Sequence, residues 1–126
     1  MIIHGEEVKD KLWQGISLVA DTVLPTLGPQ AKTVILQGNP PVIINDGVTI
    51  TKYVSSNDPY VQMGVQMVQN LASKAQDKSG DGTTTACIIA RALCKEIINA
   101  DVANLHTLSK ELKEAQNLVI EHLEMM

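Results

Sequence analysis

The sequence predicts a mainly α-helical fold carrying one small β-hairpin. Three observations lead there. Apolar residues recur at three- and four-residue spacing over four long stretches, two short β-branched runs flank a Gly/Pro-rich turn, and Pro, Gly and Asp mark the boundaries between segments. A length of 126 residues suits one domain or one piece of a larger one. Aromatic content is only 2%, with Trp13, Tyr53, Tyr60 and no Phe, so the core has to be built from Val, Ile, Leu, Ala and Met.

From about Glu7 to Leu24, Val8, Leu12, Ile16, Val19 and Val23 form one apolar stripe, and Pro25 with Gly28-Pro29 ends that helix. Lys32–Leu36 and Val42–Ile44 are β-prone runs around Gln37-Gly38-Asn39-Pro40-Pro41. They read as a hairpin whose two prolines call for a loop longer than two residues. Val48–Val54 suits a strand or a short helix equally, because its residues are largely β-branched. Asp58-Pro59 is a helix start, with Asp as cap and Pro at the first helical position; Val61, Val65, Val68, Ala72 and Ala75 carry its stripe and Gly80 closes it. The next helix runs to about Ala100 on Ala86, Ile89, Ala90, Leu93 and Ile97. A last one spans about Thr107–Leu123 on Leu108, Leu112, Ala115 and Val119, capped by Thr107 or Asn104. A lone two-stranded hairpin is marginal in water, which points to partner strands from elsewhere.

A formal net charge of −4 and the scarcity of aromatic platforms disfavour nucleic-acid binding. Cys87 and Cys94 share a helix face about 10 Å apart along its axis, too far for a disulfide within a straight helix. Reduced thiols, charges that interrupt the N-terminus and the lack of a membrane-length apolar run all fit a cytoplasmic protein with no membrane contact. His4, His106 and His122 are scattered and give no zinc-ligand spacing. Met63 and Met67 read as core fillers.

The run Gly80-Asp81-Gly82-Thr83-Thr84-Thr85 carries the most chemistry. Two glycines allow a tight turn close to a ligand, and three hydroxyls follow where a helix begins. Unpaired N–H groups at a helix start favour an anion. A carboxylate between the glycines would repel bare phosphate unless a cation bridges them. Mg²⁺ is the natural choice, since it takes one or two carboxylates plus phosphate oxygens and water. Helix capping by Asp81 or Thr83 accounts for the local chemistry equally well. Taken alone, Asp46-Gly47 is a common turn pair and Gly28-Pro29 an ordinary helix terminator.

Thr26-Leu27-Gly28-Pro29, Asn45-Asp46-Gly47 and Gly80–Thr85, in this order and spacing, resemble the N-terminal equatorial segment of a chaperonin. Met63–Val68 and Ala72-Ser73-Lys74-Ala75 are similar to the group I branch. The resemblance runs from about Val8 to Leu123. It implies an equatorial-domain-like helical bundle and a ring-forming chaperone driven by ATP hydrolysis. By the same resemblance, Asp81 would bind Mg²⁺, Gly82, Thr83, Thr84 and Thr85 would cradle the phosphates, and Thr26, Leu27, Gly28 and Pro29 would line the nucleotide pocket. Asp46 would act catalytically, positioning the hydrolytic water near the γ-phosphate. The chain departs from the family pattern at Gln30-Ala31 (Lys-Gly or similar is usual), at Asn45 (commonly Lys in group I) and in a shorter loop around Gly38–Pro41. Asp101–His106 also stands in place of a glycine-rich link.

The resemblance further implies that residues 1–126 are the first part of an equatorial domain. Intermediate and apical domains would lie outside the chain, and with them the surfaces for non-native clients and a lid co-chaperonin. The full-length parent would form a homo-oligomeric ring, and the 126-residue chain alone is expected to bind Mg-ATP weakly and hydrolyse it negligibly. The alternative is a non-catalytic helical interaction module that keeps the fold and associates with itself or with chaperonin-like subunits.

Overall fold

The computed structural model describes residues 2–100 and 104–126. Five helices and one hairpin follow one another: α1 (Glu6–Val23), a 3-10 turn (Leu24–Thr26), β1 (Val34–Leu36), β2 (Val42–Ile44), α2 (Gly47–Tyr53), α3 (Pro59–Ser79), α4 (Thr83–Asn99) and α5 (Leu105–Glu124). The chain divides into two compact units, Met1–Glu96 and Ile97–Met126.

In the first unit, the α1 and α3 stripes meet. Ile16, Val19 and Val23 pack with Val65, Val68 and Ala72, and Ile50, Val54 and Cys87 complete the core. Gly15 and Gly64 bring the two backbones together: a Cβ on Gly15 would lie 2.1 Å from the Val61 carbonyl oxygen, and one on Gly64 2.3 Å from that of Leu12. The start of α3 is fixed as its residues dictate. The Asp58 carboxylate accepts from the Tyr60 N–H at 2.9 Å, Pro59 takes the first helical position, and Lys11 of α1 donates to Asp58 at 2.5 Å. Gly80 closes α3 in the left-handed conformation, φ 68°, with its N–H on the Gln76 carbonyl at 2.8 Å.

The hairpin is antiparallel, pairing Val34 with Ile44, Ile35 with Ile43 and Leu36 with Val42 across the residue 37–41 loop. Period-two alternation turns Val34 and Ile44 toward the core, while Ile35 and Ile43 stand about 70% exposed side by side. The ambiguous Val48–Val54 segment forms a helix. Asp46 caps it, and the Gln69 side chain donates to the carbonyls of Thr51 (2.8 Å) and Val54 (3.0 Å), satisfying its C-terminal end.

Two sequence expectations are corrected. Met63 and Met67 are not core fillers; they are 56% and 52% exposed, because α3 already fills its contact with valine, alanine and glycine. The α4 stripe is also displaced. Thr83 and Cys87 are buried and Cys94 packs partly on the core, whereas Ile89, Leu93 and Ile97 are exposed. α4 is apolar on more than one face, so periodicity alone could not select the buried one. Both cysteines are free thiols, and burial pushes their pKa values up.

The second unit consists largely of α5, capped by Asn104, whose side chain accepts from the N–H groups of His106 (3.0 Å) and Thr107 (3.2 Å). None of its residues is buried, so the Leu108, Leu112, Ala115, Val119 face does not form a core. The 101–103 part of the Asp101–His106 link lies outside the described residues. Among the described residues, no helix is long and apolar enough to cross a membrane.

Candidate nucleotide site

α1 and α3 lie side by side with their C-terminal ends at one side of the first unit, and the three loop motifs meet there. They line one cavity of about 320 Å³, made by Thr26, Leu27 and Gly28 from the end of α1, Asn45–Gly47 from the loop before α2, Gln76 and Gly80 from the end of α3, and Asp81–Thr85 from the start of α4. Of the residues singled out in the sequence, Thr26, Leu27, Gly28, Asp46, Asp81, Gly82, Thr83, Thr84 and Thr85 come together; Pro29 does not line the cavity. Gln76 was missed. Its position four residues before the helix-closing Gly80 was the available signal, since the last turn of α3 ends beside the glycine-rich loop.

The backbone shapes this wall. Gly80 and Gly82 both have positive φ, 68° and 78°, a region that L side chains rarely adopt. The Gly82 carbonyl accepts the first helical bond, from the Ala86 N–H at 2.9 Å, so the amides of Thr83, Thr84 and Thr85 come before the intrahelical ladder. The Asp81 carboxylate bonds the adjacent Gly82 N–H at 2.6 Å instead of capping the next turn. Neither capping expectation for Asp81 or Thr83 is realised in the hydrogen bonds of the described residues, and the helix start is left open toward the cavity.

The three threonines have three different fates. Thr83 is 6% exposed, and its Oγ1 is buried without a hydrogen-bond partner. The Thr84 Oγ1 lies 3.0 Å from that of Thr26, whose own hydroxyl reaches the Val23 carbonyl at 2.7 Å. Thr85 is exposed. A Cβ on Gly47 would come 2.5 Å from the Thr84 Oγ1, so the Asp46-Gly47 loop lies against the start of α4 and a side chain there would have to displace that hydroxyl.

Asp46 is exposed and holds two bonds from Thr49, from its hydroxyl at 2.5 Å and its N–H at 3.1 Å. The Thr49 hydroxyl bond, with backbone N–H bonds from Thr49 and Val48 and the Lys52 charge, lowers the Asp46 pKa against a smaller opposing effect of burial. Asp46 is therefore a carboxylate at neutral pH. The lining holds two carboxylates, Asp46 and Asp81, and no lysine or arginine. A polyanion would meet the first amides of α4 but no fixed positive charge, so its binding calls for an accompanying cation. Two carboxylates facing the same space are a donor set that suits Mg²⁺ together with phosphate oxygens.

The sequence pattern of the TCP-1/cpn60 chaperonin family matches residues 19–126. The chain belongs to the TCP-1/cpn60 chaperonin family. Chaperonin GroEL of Aster yellows witches'-broom phytoplasma (strain AYWB) is 40% identical over 122 residues, covering 94% of this chain and 23% of that protein. Chaperonin GroEL of Onion yellows phytoplasma (strain OY-M) is 45% identical over 94 residues, 73% of this chain and 18% of that protein. The chain thus spans less than a quarter of the length of these curated relatives. Among solved structures, the chaperonin gp146 from the bacteriophage EL 2 (Pseudomonas aeruginosa), crystallised in the presence of ATP-BeFx, superposes with a TM-score of 0.67 at 29% identity. That match covers 72% of this chain and 17% of that one. The helical fold with its small antiparallel sheet is that of a chaperonin equatorial domain.

Proposed function

We propose that this chain is the ATP-binding part of a ring-forming molecular chaperone that uses ATP hydrolysis to assist protein folding, and that residues 1–126 form the first segment of its equatorial domain. One observation carries the reading: three loops far apart in sequence converge on one cavity whose lining offers the first amides of α4 and two carboxylates. The ATP-BeFx present with the phage chaperonin gp146 agrees with the choice of nucleotide.

In this reading Asp81 would hold Mg²⁺, which would neutralise phosphate charge. Gly82–Thr85 would cradle the phosphates through backbone N–H and hydroxyl groups. Thr26, Leu27 and Gly28 would border the nucleotide, with Pro29 shaping the loop behind them. Asp46 stays ionised and would orient the attacking water by accepting a hydrogen bond from it. Positioning and charge neutralisation are most of what phosphoryl transfer asks of a protein. The parent would act as a homo-oligomeric ring in a reducing cytoplasm. Non-native clients and any lid co-chaperonin would meet surfaces beyond this segment.

Isothermal calorimetry with ATP, with and without Mg²⁺, tests the site. Weak, Mg²⁺-dependent binding is expected, with negligible steady-state hydrolysis by the 126-residue chain. The same affinity with and without metal would remove the role of Asp81. The second reading, a non-catalytic interaction module, draws on the exposed Ile89 and Leu93 of α4. Self-association without any nucleotide binding would favour it.

A further inference from the structure

We propose that the Asp21–Arg91 ion pair is a latch. It fastens the far part of α4 to α1 across an open groove, and its release lets that part lift and uncover the Cys94 thiol while the α1–α3 core stays closed. The inference is independent of the nucleotide reading.

α4 is held unevenly along its length. Its first turns are anchored, with Thr83 and Cys87 buried. Beyond them Cys94 packs only partly on the core, and Ile89 and Leu93 stand 54% and 55% exposed. Between this part of α4 and α1 lies a groove of about 360 Å³, bordered by Trp13, Ser17 and Asp21 on one side and by Arg91, Ala92 and Lys95 on the other. Side chains separated by such a gap gain little dispersion energy from each other. α1 and α3 are the contrasting case, since Gly15 and Gly64 let their backbones touch.

The Arg91 guanidinium bridges the two helices by donating to the Asp21 carboxylate. Of the three ion pairs among the described residues, Lys9–Glu6 stays within α1 and Lys11–Asp58 joins α1 to α3, so this one alone fastens α4. Arg91 is also the single arginine of the chain. Its planar fork of donors matches a carboxylate in a way that the point charge of a lysine does not. The Asp21 side chain is 64% exposed and that of Arg91 25%, so dissolved salt screens the pair. A helix end with little buried surface and a solvent-facing tie opens at lower cost than an interlocked core.

The two cysteines of α4 report on this directly. Labelling with iodoacetamide, a neutral reagent, and locating the label by mass spectrometry gives one rate for each thiol. Cys94 reads the lift, and the wholly buried Cys87 reads opening of the unit as a whole. Asp21→Asn and Arg91→Gln are each expected to speed Cys94 labelling about 1.5- to fivefold, the range of an exposed ion pair, and to leave Cys87 unchanged. The double variant should label no faster than either single variant, because the latch can be lost only once. Raising NaCl from about 0.05 M to about 1 M should speed Cys94 labelling in the unaltered chain and not in the double variant. A bare effect on thiol ionisation has another signature: losing the arginine's charge would slow labelling while losing the aspartate's would speed it. Opposite changes of that kind, an unchanged Cys94 rate, a double variant faster than both singles, equal salt acceleration of the double variant, or Cys87 rising in step with Cys94 would each overturn the latch.

Discussion

Gly15 and Gly64 face each other where α1 meets α3, and the two helix backbones touch there. The Cα of Gly15 would lie 3.1 Å from a Cβ on Gly64, and the Leu12 carbonyl nearer still at 2.3 Å. A methyl group has nowhere to go without parting the helices, because the atoms in its way are backbone.

Gly64→Ala is therefore expected to destabilise the fold by about 1–3 kcal/mol or more, the usual range for overpacking, even though alanine is the better helix former. Urea unfolding followed by circular dichroism measures it. An unchanged midpoint would mean that the helices are not held this closely.

Asp46 has two separable tasks. It caps α2 through Thr49, and in the proposed mechanism it supplies charge beside the reacting water. Asparagine caps as well as aspartate, so Asp46→Asn should leave stability nearly unchanged, while Asp46→Ala should cost about 0.5–2 kcal/mol. In a complete chaperonin subunit both variants should lose ATP hydrolysis, with nucleotide binding falling less. Equal loss of hydrolysis and binding would make Asp46 a binding residue instead.

The Lys11–Asp58 pair sets an acid limit on stability. Its hydrogen bond from Lys11, helped by the Tyr60 N–H, lowers the Asp58 pKa, and the same bond raises that of Lys11. A depressed carboxylate contributes stability above its unfolded pKa and loses it as pH falls through its folded pKa; a raised lysine contributes below its unfolded pKa and loses it as pH rises through its folded value. The pair should thus contribute a constant amount from about pH 5 to 9. Asp58→Asn keeps a cap residue but removes the charge, and should flatten the acid limb of stability against pH. An unchanged acid limb would assign acid sensitivity to other carboxylates.

The two faces of α4 predict opposite responses. Cys87 is wholly buried, and Cys87→Ser would place a hydroxyl in the apolar core, costing about 1–3 kcal/mol unless it finds a partner. Ile89 is 54% exposed, and Ile89→Lys should change the stability of this chain by less than about 0.5 kcal/mol. Thermal unfolding of both variants measures the contrast. A larger loss from Ile89→Lys would restore the sequence-predicted face.

What could be read in advance followed from residue type and covalent geometry. Pro59 after Asp58, Gly80 after the α3 stripe and the residue 37–41 loop between β-branched runs each allow few conformations, and the structure adopts the expected one at all three. Burial was less legible wherever apolar residues were abundant. Met63, Met67, Ile89 and Leu93 are apolar by type, but exposure depends on which neighbour arrives, and that is a tertiary fact. The β-branched Val48–Val54 segment became a helix because Asp46 caps its start, although strand propensity was equally compatible. The loops of the candidate site were visible as motifs, whereas Gln76 and the hydroxyl chain through Thr26 depend on contacts between distant segments.

That last contact joins positions 58 residues apart. Closing so wide a loop costs chain entropy before any contact is gained, so the cavity cannot assemble from its glycine-rich segment alone. It exists only once α1, α3 and the start of α4 have docked. A ligand that recognises it therefore selects the folded unit as a whole, and saturating amounts should raise that unit's melting temperature instead of ordering one loop.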